Sequence, residues 1–364
     1  MRHLTLLGPQ RNRPTVGAVL DELGVEGRVA VVSAGWQERE GEDDELRAEI
    51  ERPGSGSPGR SPGRSAGRSA GRSAGRAMVN LALYARAERV FEEHPELLAR
   101  LQERHDRRQA VEELYRRRLD HALAAARYVF AWRGDPRIAG SEREHAVEAV
   151  ASLDRHHTRR VADIESSLRP DIGSYPALAR EREEVRRQVA GSAALVLAGG
   201  HVVVLRNRLE LFGFRELLAG YDRPVIAWSA AAMCLAETVV LFHDRPPQGA
   251  GNAEVLADGL GFARRSIVLP AGSQRLRLDD RDRVALFARR FAGRVPLVFD
   301  DGARLDLDGG LEGGPDGGWD GGRWARVEGL RRLTREGAVE PVGEVDPRID
   351  PRAEEPGVPE EGNG

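Results

Sequence analysis

Apolar positions recur along this chain with two spacings, and the change between them divides it. Short continuous apolar runs at His3 to Leu7, Arg28 to Ser33, Ala194 to Leu197, Pro224 to Ala227, Thr238 to Phe242, Ser266 to Leu269 and Val295 to Phe299 predict strands. Runs without a polar alternate suit strands covered on both faces. Between them, Pro14 to Leu23, Val202 to Leu211 and Asp280 to Phe291 carry the three- and four-residue spacing of amphipathic helices. Strands and helices in alternation predict an α/β fold with a flavodoxin-like, mostly parallel sheet and helices on both faces.

The second spacing fills residues 78–190. Leu81, Tyr84, Val90, Phe91 and Leu97, then Val111, Leu114, Tyr115, Leu119 and Leu123, then Val147, Val150, Leu153, Val161 and Ile164 form helical stripes, with Arg and Glu crowding the other faces. Breaks are expected at His94-Pro95, Gly134-Asp135-Pro136, Pro170 and Pro176. These signals predict three or four helices, inserted as an all-α segment in the sheet protein. His105, His121, His145, His156 and His157 lie here. His156 and His157 are adjacent and point apart on a helix, so the expectation is solvated histidines and no metal site.

Two stretches lack the means to bury a core. Residues 53–77 hold Ser-Pro-Gly-Arg and Ser-Ala-Gly-Arg units, and residues 346–364 are rich in Pro, Glu and Gly; both are expected to be disordered. The predicted order is then a first α/β part (1–52), the repeat, the helical insertion (78–190), a second α/β part (191–310), an extension (311–345) and the tail. Past Asp308 the Gly, Asp and Trp run is expected as loop, with a hairpin-like piece over Val327 to Val342.

Composition narrows the chemistry. The chain has 364 residues, is 40% hydrophobic but only 5% aromatic, and carries a net charge of −3. An aliphatic core is implied, and neither nucleic acid nor membrane is an expected partner. Every basic side chain is Arg, with no Lys for Schiff-base or general-base work. The single cysteine, Cys234, suits a reducing cytoplasm and a buried thiol, and the N-terminus reads as a first strand, without a signal-peptide cleavage site. No cofactor is implied. The striped helices suit a homo-oligomer.

The strongest chemical feature is Trp228-Ser229-Ala230-Ala231-Ala232, which follows the apolar run ending at Ala227 and opens Met233-Cys234-Leu235. A strand, a sharp turn with one serine and a helix of small residues lift a hydroxyl to the edge of a sheet, where it can attack a carbonyl. Gly199-Gly200 at a neighbouring strand end, with the Ala230 N–H, offers backbone donors for an oxyanion. Asp244, at the end of the next predicted strand, is the candidate orienting acid. The base is hard to find: His201 and His243 are the nearest candidates in sequence.

The segments Leu197-Ala198-Gly199-Gly200-His201, Ala227 to Met233 and Gly259-Leu260-Gly261-Phe262 resemble the serine peptidase family of cyanophycinase and aspartyl dipeptidase. Within it the chain looks like uncharacterised members with a long helical insertion, which also carry a segment similar to Val240 to Asn252. The resemblance spans about residues 190–310 and the first two strands, and implies a type 1 glutamine amidotransferase-like fold and hydrolysis of a small peptide or amide substrate. It implies Ser229 as nucleophile, Asp244 as acid, and Gly199, Gly200 and Ala230 around the oxyanion. The family elbow is usually Ser-Ala-Gly-Ala; here Ala231 replaces the glycine. Where the family has its base, in a Leu-Pro-His-Ala-like sequence, this chain has Leu269-Pro270-Ala271-Gly272. A serine without a base is a poor nucleophile, so the expectation is impaired catalysis or, as the alternative, a non-catalytic binding or scaffold protein that uses the retained crevice and the helical arm, unless His201 or His243 substitutes.

Overall fold

The structure is a computed structural model that describes residues 3–52, 75–244, 251–309 and 323–343; residues 53–74 of the repeat and the tail lie outside these. The end of the stretch expected as disordered is ordered, with Arg76 donating to the Ile50 carbonyl at 2.6 Å and Ala77 opening a strand. The chain runs β1 (His3–Leu7), α1 (Val16–Glu22), β2 (Arg28–Val32), a 3-10 segment (Ala34–Arg39), α2 (Asp44–Glu51) and β3 (Ala77–Asn80). Four helices follow: α3 (Leu83–Glu93), α4 (Pro95–Ala131), α5 (Pro136–Ser167) and α6 (Pro176–Ala190). Then come β4 (Ala194–Leu197), α7 (Val202–Leu211), α8 (Phe214–Ala219), β5 (Val225–Trp228), α9 (Ala230–Leu235), β6 (Thr238–Leu241) and β7 (Glu254–Asp258). The last elements are β8 (Ser266–Pro270), α10 (Gly272–Arg275), α11 (Arg281–Arg290), β9 (Val295–Phe299), β10 (Arg304–Asp308), β11 (Arg323–Glu328), β12 (Arg331–Leu333) and β13 (Val339–Pro341).

The main sheet has seven strands in the order β11-β10-β1-β5-β4-β2-β3. From β1 to β3 neighbours are parallel, and β10 and β11 extend the β1 edge antiparallel. Side chains alternate between two cores, as the pleat requires. Val29, Val31, Ala194, Val196, Ile226 and Trp228 pack with Val16, Val19 and Leu20 of α1 and with Leu46 and Ile50 of α2. Ala30, Val32, Leu195, Leu197, Val225 and Ala227 point into the other core, which takes in residues of α3, α7 and α9. The sheet is therefore covered on both faces, which is why its central strands read as unbroken apolar runs.

Three departures from the sequence expectation stand out. β6, β8 and β9 do not join the main sheet: β6 pairs with β7, and β8 and β9 form a four-stranded sheet with β12 and β13. β3, β7 and β10 were not expected as strands. In β10 the sequence Arg-Leu-Asp-Leu-Asp hides its burial, because Arg304 and Asp306 are both buried and pair with each other at 2.8 Å. The glycine-rich stretch past Asp308 was expected as loop; residues 310–322 lie outside the description, and Arg323–Glu328 is a strand.

The helix breaks fall where proline and capping chemistry demand. Pro95, Pro136 and Pro176 each start a helix, where a missing N–H costs nothing. Asp135 caps α5 by accepting from the Arg137 N–H at 2.9 Å. α4 and α5 pack against each other and reach β7 and α11 through one buried polar knot. Arg290 of α11 donates to both Asp154 oxygens at 2.6 and 2.8 Å. Tyr115 donates to Asp154 at 2.7 Å and accepts from the Val255 N–H at 3.1 Å. His157 is not the solvated histidine expected: it is 1% exposed and its ring stacks on Tyr115 at 4.0 Å.

Candidate active site

At the carboxyl end of β5 the chain turns abruptly. Ser229 has φ 49° and ψ −117°, a left-handed conformation that costs a non-glycine residue about 1–3 kcal/mol. The turn is held by the Ser229 N–H donating to the Leu7 carbonyl at 3.2 Å, at the end of β1, and by the Met233 N–H donating to the Ser229 carbonyl at 3.0 Å. Ser229 is half-buried, and its Oγ hydrogen bonds to no described residue. Ala230 opens α9, so its N–H has no partner within the helix. With only six residues, α9 contributes little dipole.

Gly199 and Gly200, after β4, sit directly against this turn. A methyl on Gly199 would lie 2.9 Å from the Ser229 Cβ and 3.1 Å from the Trp228 carbonyl oxygen. Gly200 has φ +144°, and a methyl there would meet the Gly35 carbonyl at 2.5 Å. The His201 N–H donates to that carbonyl at 2.7 Å. The structure thus brings Ser229, Gly199, Gly200 and Ala230 together, and adds Gly35 from the Ser33-Ala34-Gly35-Trp36 loop that follows β2, a strand-end loop of the kind the α/β pattern places at a ligand crevice. Gln37, two residues on, has φ 60° and ψ −128°, a second strained backbone at this edge of the sheet.

The ionisable candidates are placed differently. His201 is exposed and its Nδ1 accepts from the Val204 N–H at 3.4 Å, capping α7. His243 is half-buried, with an Nδ1 that has no partner among the described residues. Asp244 accepts from the Arg277 N–H at 3.1 Å and pairs with Arg283 of α11. None of the three hydrogen bonds to Ser229. Ala271 has φ 53° and caps α10, its N–H donating to the Phe299 carbonyl at 2.8 Å. Cys234 is buried, its thiol donates to the Val202 carbonyl at 3.8 Å, and burial pushes its pKa up to about 12.

A carboxylate that the sequence did not flag lies at the end of β9. A methyl on Gly8, next after Leu7, would lie 2.0 Å from the Asp300 carbonyl oxygen, so the ends of β1 and β9 are in contact. Asp300 accepts from the Ser273 N–H at 3.1 Å and the Ser273 hydroxyl at 2.6 Å, and pairs with Arg331. Its only sequence signal is an acid after an apolar run, the same signal that singled out Asp244.

No family model matches the chain, and no curated protein matches it. Among solved structures it is similar to the crystal structure of a peptidase from an acI-B1 Actinobacterium, at 12% identity and a TM-score of 0.45, over 94% of this chain and 96% of that one. A match that distant carries no weight for chemistry. Among the described residues no group of three or more His, Cys, Asp or Glu is placed to hold a metal ion, and no helix is long and apolar enough to cross a membrane.

Proposed function

We infer that this chain is a serine-peptidase-like α/β protein of the type 1 glutamine amidotransferase-like kind, in which hydrolysis of a peptide or amide bond through Ser229 is impaired. One observation carries this: a strained serine faces a diglycine loop, yet among the described residues no base hydrogen bonds to its Oγ. In a working site the hydroxyl would lose its proton to a histidine as it attacks the carbonyl, and backbone N–H groups from Gly199-Gly200 and Ala230 would hold the oxyanion. Without the base, turnover falls by about 10⁴- to 10⁶-fold, leaving what the oxyanion donors and binding supply.

Ala271 is the position that resemblance assigns to the base. Its left-handed backbone is one that histidine adopts more readily than most residues. Asp244, assigned as the acid, is engaged by Arg283, so a histidine at 271 would need Asp244 to exchange partners or Asp300 to serve in its place. The second reading, a non-catalytic protein that binds a small ligand in the crevice, draws on the same unbonded hydroxyl.

A fluorophosphonate probe separates the readings. Wild type is expected to stay unlabelled, and Ala271→His to gain labelling that Ser229→Ala removes. Labelling of wild type that is lost in Ser229→Ala would sink the impaired reading in favour of an active hydrolase. No labelling in either wild type or Ala271→His favours the binding protein.

A further inference from the structure

We propose that the recess where the α4–α5 hairpin meets α11 and the β12–β13 turn binds a phosphate-bearing ligand. The recess is about 300 Å³ and lies apart from Ser229. Arg133 and Arg143 enter it from the hairpin, Arg281 and Arg289 from α11, and Arg335 from the turn. Only two carboxylates, Asp282 and Glu336, share the lining. In a chain whose net charge is −3, that concentration of arginine is a local reversal of sign.

The positive charge is also poorly compensated. Arg133 pairs with Asp282 at 2.6 Å. Arg281 and Arg289 spend their Nε–H on the carbonyls of Glu336 and Arg335, both at 2.9 Å. Arg143 donates to the Phe130 and Trp132 carbonyls at 3.2 Å, and its buried Nε has no partner among the described residues. Carbonyls satisfy donors without cancelling charge. The Arg335 guanidinium is exposed and bonds to no described residue. The turn that carries it is fixed: Gly337, at φ +85°, lies against the Arg281 carbonyl so closely that a methyl would come within 2.3 Å.

Several guanidinium groups held from three elements, around a space larger than a lone carboxylate fills, suit a dianion with three or more acceptor oxygens. Phosphate esters are that class. The source is either a soluble ester or a lipid headgroup, because Trp132, Tyr128 and Ile138 are exposed on the same end of the hairpin.

The test uses the full chain. Calorimetry with inorganic pyrophosphate is expected to give saturable binding and a raised Tm in 150 mM chloride. Affinity should fall at least tenfold in Arg335→Glu and about as much in the neutral Arg335→Gln. Arg117→Glu, the same charge change on an exposed part of α4 that does not line the recess, should bind as wild type. Co-sedimentation with phosphatidic acid vesicles but not phosphatidylcholine vesicles, lost in both Arg335→Gln and Trp132→Ala, would assign the lipid source. Pyrophosphate binding without co-sedimentation would assign a soluble ester. No binding of either probe, or equal loss in Arg335→Gln and Arg117→Glu, overturns the proposal.

Discussion

Gly199 and Ser229 touch through the space where a side chain on Gly199 would be: a methyl there would lie 2.9 Å from the Ser229 Cβ. Gly199→Ala should therefore force the elbow and the diglycine loop apart. The neighbours are the Ser229 Cβ, the Trp228 carbonyl oxygen and the Cδ1 of the buried Trp228 ring; the first two are fixed by the backbone, so the expected loss is about 1–3 kcal/mol, in the range for overpacking. Ser229→Gly removes both the opposing Cβ and the cost of a positive φ. Urea unfolding of the two single variants and the double variant forms a cycle. Gly199→Ala should cost less in the Ser229→Gly background, and equal costs in both backgrounds would mean that the contact does not set the loop.

The Arg290–Asp154 pair locks the helical hairpin to α11 from inside, at 2% and 8% side-chain exposure. Breaking such a pair leaves a buried charge and costs about 3–5 kcal/mol, so Asp154→Ala should lower the urea midpoint sharply. Tyr115→Phe removes one hydroxyl that touches Asp154, Arg290 and the Val255 N–H, and should cost about 1–3 kcal/mol. Asp154→Leu combined with Arg290→Met should recover part of the loss, since neither partner is then left alone. A double variant as unstable as Asp154→Ala would count against a charge-desolvation origin.

How much of this was readable in the chain follows from burial. β2, β4 and β5 are covered on both faces, so their sequences carry no polar alternate and read plainly as strands. Ser229 was legible for the same reason, as the one polar residue between such a strand and a run of alanines. Sheet membership was not legible. Leu269 of β8 looks like Leu197 of β4, and only long-range pairing sends one to the smaller sheet. Arg304 and Asp306 disguised β10 because each is neutralised by a residue two positions away. His157 is buried while His156 beside it faces solvent, because adjacent helix positions point apart and apolar spacing locates the packed face only to within a residue. Asp300 needed three-dimensional proximity, which no local spacing encodes.

Stability should fall in mild acid through His157. Its ring is buried with both nitrogens unpartnered, and burial holds its pKa down at about 4 against an ordinary 6.5; Asp154 pulls the other way and Arg108 reinforces burial. The unfolded chain takes up this proton from about pH 6.5 downward, while the folded chain resists until about pH 4. The stabilising contribution is therefore complete above pH 6.5 and drains away between those limits. His157→Phe keeps the stack on Tyr115 and removes both orphan nitrogens, so it should be neutral or stabilising at pH 7 and should flatten the acid slope. Urea midpoints at pH 7, 6 and 5 measure this, and parallel slopes for the two proteins would assign the acid loss to other groups.

Cys234 provides a check on the interior around the elbow. The thiol is fully enclosed and its pKa is pushed up to about 12 by burial, partly opposed by Arg206. Only the thiolate reacts with iodoacetamide, so native protein at pH 8 should stay unmodified for as long as it remains folded. In 8 M urea the same residue should react at the rate of a free cysteine. Modification should then track global unfolding, with the same urea midpoint as the circular dichroism signal. A native protein that reacts within minutes would mean that α9 opens locally, and the backbone donors proposed for an oxyanion beside Ser229 would then lack the rigidity their role requires.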